Sequence, residues 1–272
     1  MRINPNFFYI FIFATSFDFS QKTSHEIGIL TGKASLQTDY GIRGDILSET
    51  ANNSTSFTIA HYMQFSNNDN WNSRRSILDH IVIKSEINFL NSTDLKHHVN
   101  FAENNNNNKQ EGENKALSAK EILSKMSGNI SMVNFGVQLE YYLKDITRFF
   151  NQRNSSKLNP FVNLGVNYSL YSNSVNSALG DWHTNIHFLP EKYRKEGSIK
   201  EGSGGAFAFN TGVGTRYKLS RKIDLVAQFK WEIYASDAID GLQADVIENK
   251  SNETLTSLQF GMIYHLNFNK NI

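Results

Sequence analysis

Leu258, Phe260, Met262, Tyr264, Leu266 and Phe268 alternate with Gln259, Gly261, Ile263, His265 and Asn267. Successive residues of a strand point to opposite faces. One face here is wholly apolar and ends in an aromatic; the other is mostly small or polar. A strand with hydrocarbon on one side and a polar lumen on the other has this composition. A membrane-spanning helix needs about 20 consecutive apolar residues, and no run in the chain approaches that. If the chain crosses a membrane, it does so with strands.

Seven further segments alternate in the same way: His25–Lys33, Ser56–Ser66, His80–Asn91, Ile130–Lys144, Leu158–Ser172, Gly205–Leu219 and Lys222–Ala235. With Thr254–Phe268 they predict eight strands. In the seventh, Ile223, Leu225, Ala227, Phe229, Trp231 and Ile233 oppose Asp224, Val226, Gln228, Lys230, Glu232 and Tyr234. Period-two alternation over this length is a strand signal. Long connections (34–55, 92–129, 173–204, 236–253) alternate with shorter ones (67–79, 145–157, and a tight turn at Ser220–Arg221). Short turns at one end and long loops at the other characterise outer-membrane barrels. The expected fold is therefore all-β, an eight-stranded antiparallel transmembrane barrel with long external loops. Alternation does not say which face points inward, and a soluble sandwich or lipocalin-like barrel shares it. Strand length, the aromatic-ended last strand and the start of the chain favour the membrane.

That start has one basic residue, Arg2, followed by Phe7–Ala14 (FFYIFIFA). It has the length of a signal-peptide core. Residues 1–20 are expected to be a signal peptide and 21–272 the barrel, with both termini in the periplasm. One short loop helix is expected where Ser118 and Glu121 form a capping box beside Leu117, Ile122, Leu123 and Met126. The preceding run Asn104–Asn108 is too polar to order itself.

With the apolar faces outward, the lumen receives Glu26, Lys84, Glu86, Glu140, Lys144, Arg216, Lys218, Asp224, Lys230, Glu232 and His265. Buried charges need partners, so these predict an ion-pair network. An eight-stranded interior is just wide enough for side chains to fill. Inward glycines (Gly136, Gly212, Gly214, Gly261) leave room for Tyr142, Tyr234 and the long charged chains.

Several chemistries find no support. The chain has 0 Cys, which removes disulfides and thiolate sites, and its net charge of +1 gives no steering toward nucleic acid. Gly212-Val-Gly214 has Tyr217 where a dinucleotide fingerprint needs its third glycine. His183 and His187 have ligand spacing only on a helix. Asp237, Asp240, Asp245 and Glu248 could face Ca²⁺, but Asp240-Gly241 is also an ordinary turn pair. No serine has a distinctive nucleophile context. No cofactor, no metal and no enzyme activity are expected.

The stretches His25–Gly28, Ser35–Asp45, Asn159–Gly165, Gly212–Leu219 and Ser236–Leu242 resemble a flavobacterial (Bacteroidota) family of outer-membrane barrels of unassigned function. The resemblance runs from about residue 25 onward. More distantly it is similar to the barrel associated with type IX secretion. Some members carry a glutamate dehydrogenase label, which a chain without a nucleotide-binding βαβ unit does not support. Tyr264, Leu266 and Phe268 resemble the terminal signal that barrel assembly machinery reads. The resemblance implies a non-enzymatic envelope anchor or partner-binding subunit, accessory to secretion or gliding. Its partners would be outer-membrane lipid, the assembly machinery and an envelope or secretion protein. Tyr40, Arg43, Asp45, Asp237 and Asp240 are candidate recognition residues in the external loops. A small-solute or ion pathway and a lipid-modifying barrel enzyme are the alternatives.

Overall fold

The computed structural model describes residues 22–40, 52–66, 77–97, 117–146, 149, 157–236, 238–243 and 252–266. The strands are β1 (Lys22–Gln37), β2 (Asn53–Ser66), β3 (Ile81–Lys96), β4 (Met126–Tyr142), β5 (Leu158–Ser177), β6 (Gly202–Lys218), β7 (Ile223–Tyr234) and β8 (Thr254–Leu266). Each pairs antiparallel with its sequence neighbours, and β1 pairs with β8 to close the barrel. The helix α1 (Ala119–Ser124) carries the capping box: Glu121 N–H donates to Ser118 Oγ, and Ser118 N–H donates to Glu121 Oε2 at 2.8 Å.

The register is steeply staggered. Stepping across paired residues from Ile27 passes His61, Ser85, Val137, Val166, Phe209, Ile233 and Thr254. It returns to β1 at Gln37, ten residues along, the difference between 27 and 37. Such a stagger tilts eight strands by roughly 40° and leaves an interior that side chains can fill.

Closure fixes the question that alternation left open. Ile29, Leu139, Leu164, Val166, Phe209, Phe260 and Met262 all point outward and are 48–59% exposed. With their neighbours they form a belt around the whole barrel. No water-soluble domain leaves a continuous apolar belt this large uncovered. It is the surface of a membrane-spanning barrel. The other face is packed inside: Lys84, Arg216, Lys230, Glu232 and Asp224 are each 0% exposed.

At the end away from the termini, six of the eight strands run three to five residues further than alternation predicts, and on β1, β3, β4 and β5 the polarity reverses there. Ala34, Leu36, Leu95, Met126, Ile130, Met132, Val175, Ala206 and Leu255 form a buried apolar cluster inside. Ser35, Gln37, Ser127, Asn129, Ser131, Ser172, Ser174 and Asn176 lie on the outer face there. The barrel is thus two stacked pieces. A spanning part has its apolar side out, and a collar beyond it has its apolar side in, as a water-facing sheet does. The sequence segments for β1, β3, β4 and β5 stop short because a fixed apolar-out rule loses its phase at the reversal. A bulge between Leu90 and Thr93 further breaks the pattern of β3.

Candidate functional site

The interior of the spanning part is one connected polar network. Arg216 on β6 reaches Glu26 on β1 at 2.6 Å and Glu140 on β4 at 3.6 Å. Its guanidinium lies 4.5 Å from the Tyr62 ring centroid and 5.1 Å from that of Tyr142. Stacking between two aromatic faces suits a planar cation with five fixed donors. Tyr142 donates to Glu140 at 2.5 Å. Further up, Lys84 meets Glu86 at 2.9 Å, and Lys230 meets Glu86 at 2.5 Å and Glu232 at 2.8 Å. Gln138 donates to Glu86, and Lys84 donates to Gln228. Gln228 donates to Gln259, which donates to Ser56 and Thr58 across the lumen. Seven of the eight strands contribute to these contacts: a barrel brings residues as distant as 26 and 216 to one cross-section.

Both ends of this network are closed. Toward the termini, His265 stands between Glu26 (2.8 Å) and Asp224 (3.1 Å). Ile146 is buried with Tyr142, Phe161, Val226 and Ile263, and Phe149 accepts a hydrogen bond from Lys218. At the other end the apolar collar core lies across the barrel. The amides of Asn134 and Asn163 are buried without a protein partner, where buried water is the usual answer.

Two connections cap the collar. The 178–201 connection buries Leu189 and Tyr193 in the collar core, and Trp182 donates to the Val175 carbonyl at 2.9 Å. The 238–243 segment contributes Ile239 and Leu242 and is joined to the first by an Ile199–Leu242 bridge. A pair of buried carboxylates holds these pieces. Asp240 accepts the N–H groups of Asp39 (2.9 Å) and Leu242 (2.8 Å), and Glu253 accepts those of Ile239 (3.0 Å) and Asp240 (2.9 Å). Gly241 follows with φ +85°, the left-handed conformation that closes the turn.

Burial and the adjacent Asp240 carboxylate push the Glu253 carboxyl well above its ordinary value. The folded cap therefore holds a proton that the unfolded chain releases. Its contribution is fully present below the ordinary glutamate range and is lost as pH rises through the raised value. Hydrogen exchange of the Asp39, Ile239 and Asp240 amides should accelerate with rising pH beyond the intrinsic rate. Glu253→Gln should remove that excess slope.

The positions named from sequence divide clearly. Glu26, Lys84, Glu86, Glu140, Arg216, Asp224, Lys230, Glu232 and His265 lie in the lumen and touch one another. Lys144 does not. It lies beyond the end of β4, is exposed, and donates to the Leu158 carbonyl at 2.7 Å. β4 stops at Tyr142, and past it the alternation no longer points anything inward. Lys218 sits at the rim, 5.9 Å from the Phe149 ring, rather than in the network. Tyr40 and Asp240 are both 1% exposed and so are not surface recognition residues. Tyr40 packs on Gly128 and pairs with the His97 ring; Asp240 holds loop amides. Burial also pushes the Tyr40 hydroxyl well above its usual value. Tyr264 lies on the outer belt and Leu266 is the last residue of β8. Arg43, Asp45, Asp237, Phe268, the 1–20 segment and the Asn104–Asn108 run lie outside the described residues.

Sequence reasoning missed the Asp240–Glu253 pair, and only Glu253 preceding a strand hinted at it. Among the described residues no group of three His, Asp or Glu side chains is arranged to hold a metal. His183 bonds Asp181 and Glu201, each at 3.0 Å, so both its ring nitrogens face acids.

No protein-family model matches the chain, and no curated protein matches it. Solved structures do. Neisserial surface protein A is 13% identical, with 90% of this chain and 100% of that chain covered, at a TM-score of 0.41. A major outer membrane protein from Thermus thermophilus is 11% identical over 90% and 100%, at 0.48. Ail, the attachment invasion locus protein of Yersinia pestis, is 10% identical over 91% and 100%, at 0.39. At these values the fold rests on sheet closure and the outer belt, and the likenesses add no argument about activity.

Proposed function

We propose that the chain is a non-enzymatic outer-membrane barrel that serves as an anchor or partner-binding subunit, with its termini in the periplasm and its collar outside the cell. The filled interior carries this reading. Side chains of the ion pairs joining Lys84, Glu86, Glu140, Arg216, Lys230, Glu232 and Glu26 are at most 2% exposed. Such a lumen offers no path to a solute. The capped collar instead presents a fixed surface beyond the membrane. His183 and His265 each have both ring nitrogens against carboxylates, an arrangement that leaves neither poised as base to a nucleophile. The resemblance to the flavobacterial family makes the secretion and gliding machinery of that envelope the first partner to test.

Two experiments test this. In planar bilayers the purified chain should give no conductance steps; regular steps would favour the solute-pathway alternative. Pulled from native membranes, the tagged chain should retain one envelope protein in stoichiometric amount. Ile186→Asp, on the exposed 178–201 connection, should weaken that retention. A chain that is monomeric in every preparation would overturn the partner-binding reading.

A further inference from the structure

The apolar belt is not equally tall all round. On β5 every outward position from Leu158 to Leu170 is apolar or aromatic. On β1 the outward residues from 25 to 35 are His25, Ile27, Ile29, Thr31, Lys33 and Ser35. The stagger sets these two walls on one scale. A row of paired residues climbs ten residues in a circuit, from 27 to 37 on β1, and so climbs five on its way to β5 across the lumen. The row of Ile27 meets β5 at Val166. The residue of β5 level with Ile27 is therefore 161, the one level with Lys33 is 167, and the one level with Ser35 is 169.

The step from Leu158 to Leu170 covers about 30 Å along the membrane normal for strands tilted by roughly 40°, enough for an apolar band of about 25 Å. The step from His25 to Lys33 covers about 20 Å, and only Ile27 and Ile29 on its outer side are apolar. The flanking strands dip with β1: Lys33 pairs with Thr55, and Ser35 with Asn53 and Thr256. Lower on the same wall His25 Nδ1 and His61 Nε2 lie 3.0 Å apart. Leaning the barrel does not repair the shortfall, because lifting Lys33 out of the hydrocarbon drags His25 into it. A second copy does not cover it either. A two-fold axis along the membrane normal sets β1 against β1, and Lys33 meets Lys33. The polar groups are instead partnered within the chain. Thr31 donates to the Ser56 carbonyl at 3.1 Å, Thr256 to that of Ser35 at 3.4 Å, and Lys33 to Thr55 Oγ1 at 3.4 Å. A wall finished in this way meets lipid.

We propose that the bilayer is thinned beside β1, and that phospholipid headgroups cross between the leaflets along the β8–β1–β2 wall. Lys33 draws lipid phosphate down to its own level, which on β5 is still covered by Val166 and Tyr168. From the other side the His25–His61 pair gives a polar foothold inside the belt. What a headgroup then has to pass is the strip of Ile27, Ile29 and Ile59, and the cost of carrying a charge through hydrocarbon falls with the depth to be crossed. The lumen takes no part, so the closed interior and this activity are compatible. No bond is made or broken.

The test places the full chain in phosphatidylcholine vesicles that hold a little headgroup-fluorescent phospholipid and an encapsulated water-soluble dye. Dithionite is then added outside. Protein-free vesicles keep the signal of the inner leaflet; vesicles with the chain should lose it while the dye survives. Thr31→Leu, Lys33→Leu and Thr55→Leu together continue the apolar wall upward and should slow that loss at least roughly tenfold. Lys33→Met alone should slow it in part. Spin labels at Ser35→Cys and Leu170→Cys measure the thinning itself. Leu170 stands one residue above the level of Ser35, yet the label at 170 should meet oxygen and the label at 35 the water-soluble agent. An inner-leaflet signal that persists with the native chain overturns the proposal. So does a loss equally fast in the triple variant, a loss of the dye, or equal lipid access at 35 and 170. A chain that does not insert overturns the membrane reading as well; insertion into a bilayer of even thickness removes this proposal alone.

Discussion

Arg216→Ala should destabilise the folded barrel by about 3–5 kcal/mol, the usual result of removing one partner from a buried ion pair. Arg216 is 0% exposed and holds Glu26 and Glu140 from opposite sides of the lumen. Without it two carboxylates remain in a space that excludes bulk water, and the Tyr62 and Tyr142 rings lose the cation between them. Lysine cannot replace both the fork and the stacking plane, so Arg216→Lys should recover only part of the loss. Removing both charges together, in Glu26→Gln with Arg216→Met, should cost less than Arg216→Ala alone, because one carboxylate, Glu140, then loses its guanidinium partner instead of two. Urea unfolding in lipid vesicles, followed by tryptophan fluorescence, measures all three. A loss below about 1 kcal/mol for Arg216→Ala would mean that the lumen is wet enough to screen the pair.

On the outside the largest effect is expected at the belt. Leu164 is 52% exposed and pairs with Leu139, itself 52% exposed, with Val162 and Val166 on either side along β5. Leu164→Arg should cost about 2–4 kcal/mol, the range for a cation near the bilayer midplane. Asn176→Arg, on the same strand and the same face but in the collar, should change stability by less than about 0.5 kcal/mol, as ordinary surface substitutions do. A water-soluble barrel would tolerate both substitutions alike. The contrast between two positions on one strand thus reports where the lipid ends.

Much of this was legible in the sequence for a simple physical reason. Period-two alternation carries the inside and outside of a barrel directly, so the lumen acids and bases from Glu26 to His265 could be named before their partners were known. The partners themselves could not, because a pair such as Glu26 and Arg216 is set by barrel closure and stagger, neither of which leaves a local signal. The alternation also misleads where the solvent changes. At Ala34–Leu36, Ile130–Met132 and Val175 the apolar residues turn inward because water replaces lipid outside. A rule with a fixed apolar side reads that as the end of a strand. Lys144 was misplaced by the opposite error, alternation carried past the last paired residue. Tyr40 and Asp240 looked like loop recognition residues because exposed loops are rich in such types. Their burial follows from loops folding back on the collar, a tertiary event invisible to composition.

The central claim is that the barrel crosses lipid by a belt that on β4, β5 and β6 ends abruptly at the Ser131–Ser172–Ser203 row, with charges packed inside. The chain has 0 Cys, so single cysteines can be introduced without background. Spin labels placed one at a time at positions 127 to 141 of β4 would report access to oxygen, which concentrates in lipid, and to a water-soluble relaxation agent. Positions 133, 135, 137, 139 and 141 should be accessible to oxygen, positions 134, 136 and 138 to neither reagent, and positions 127, 129 and 131 to the water-soluble agent. Oxygen access at 138 with protection at 139, or lipid access continuing unbroken to 127, would contradict the account.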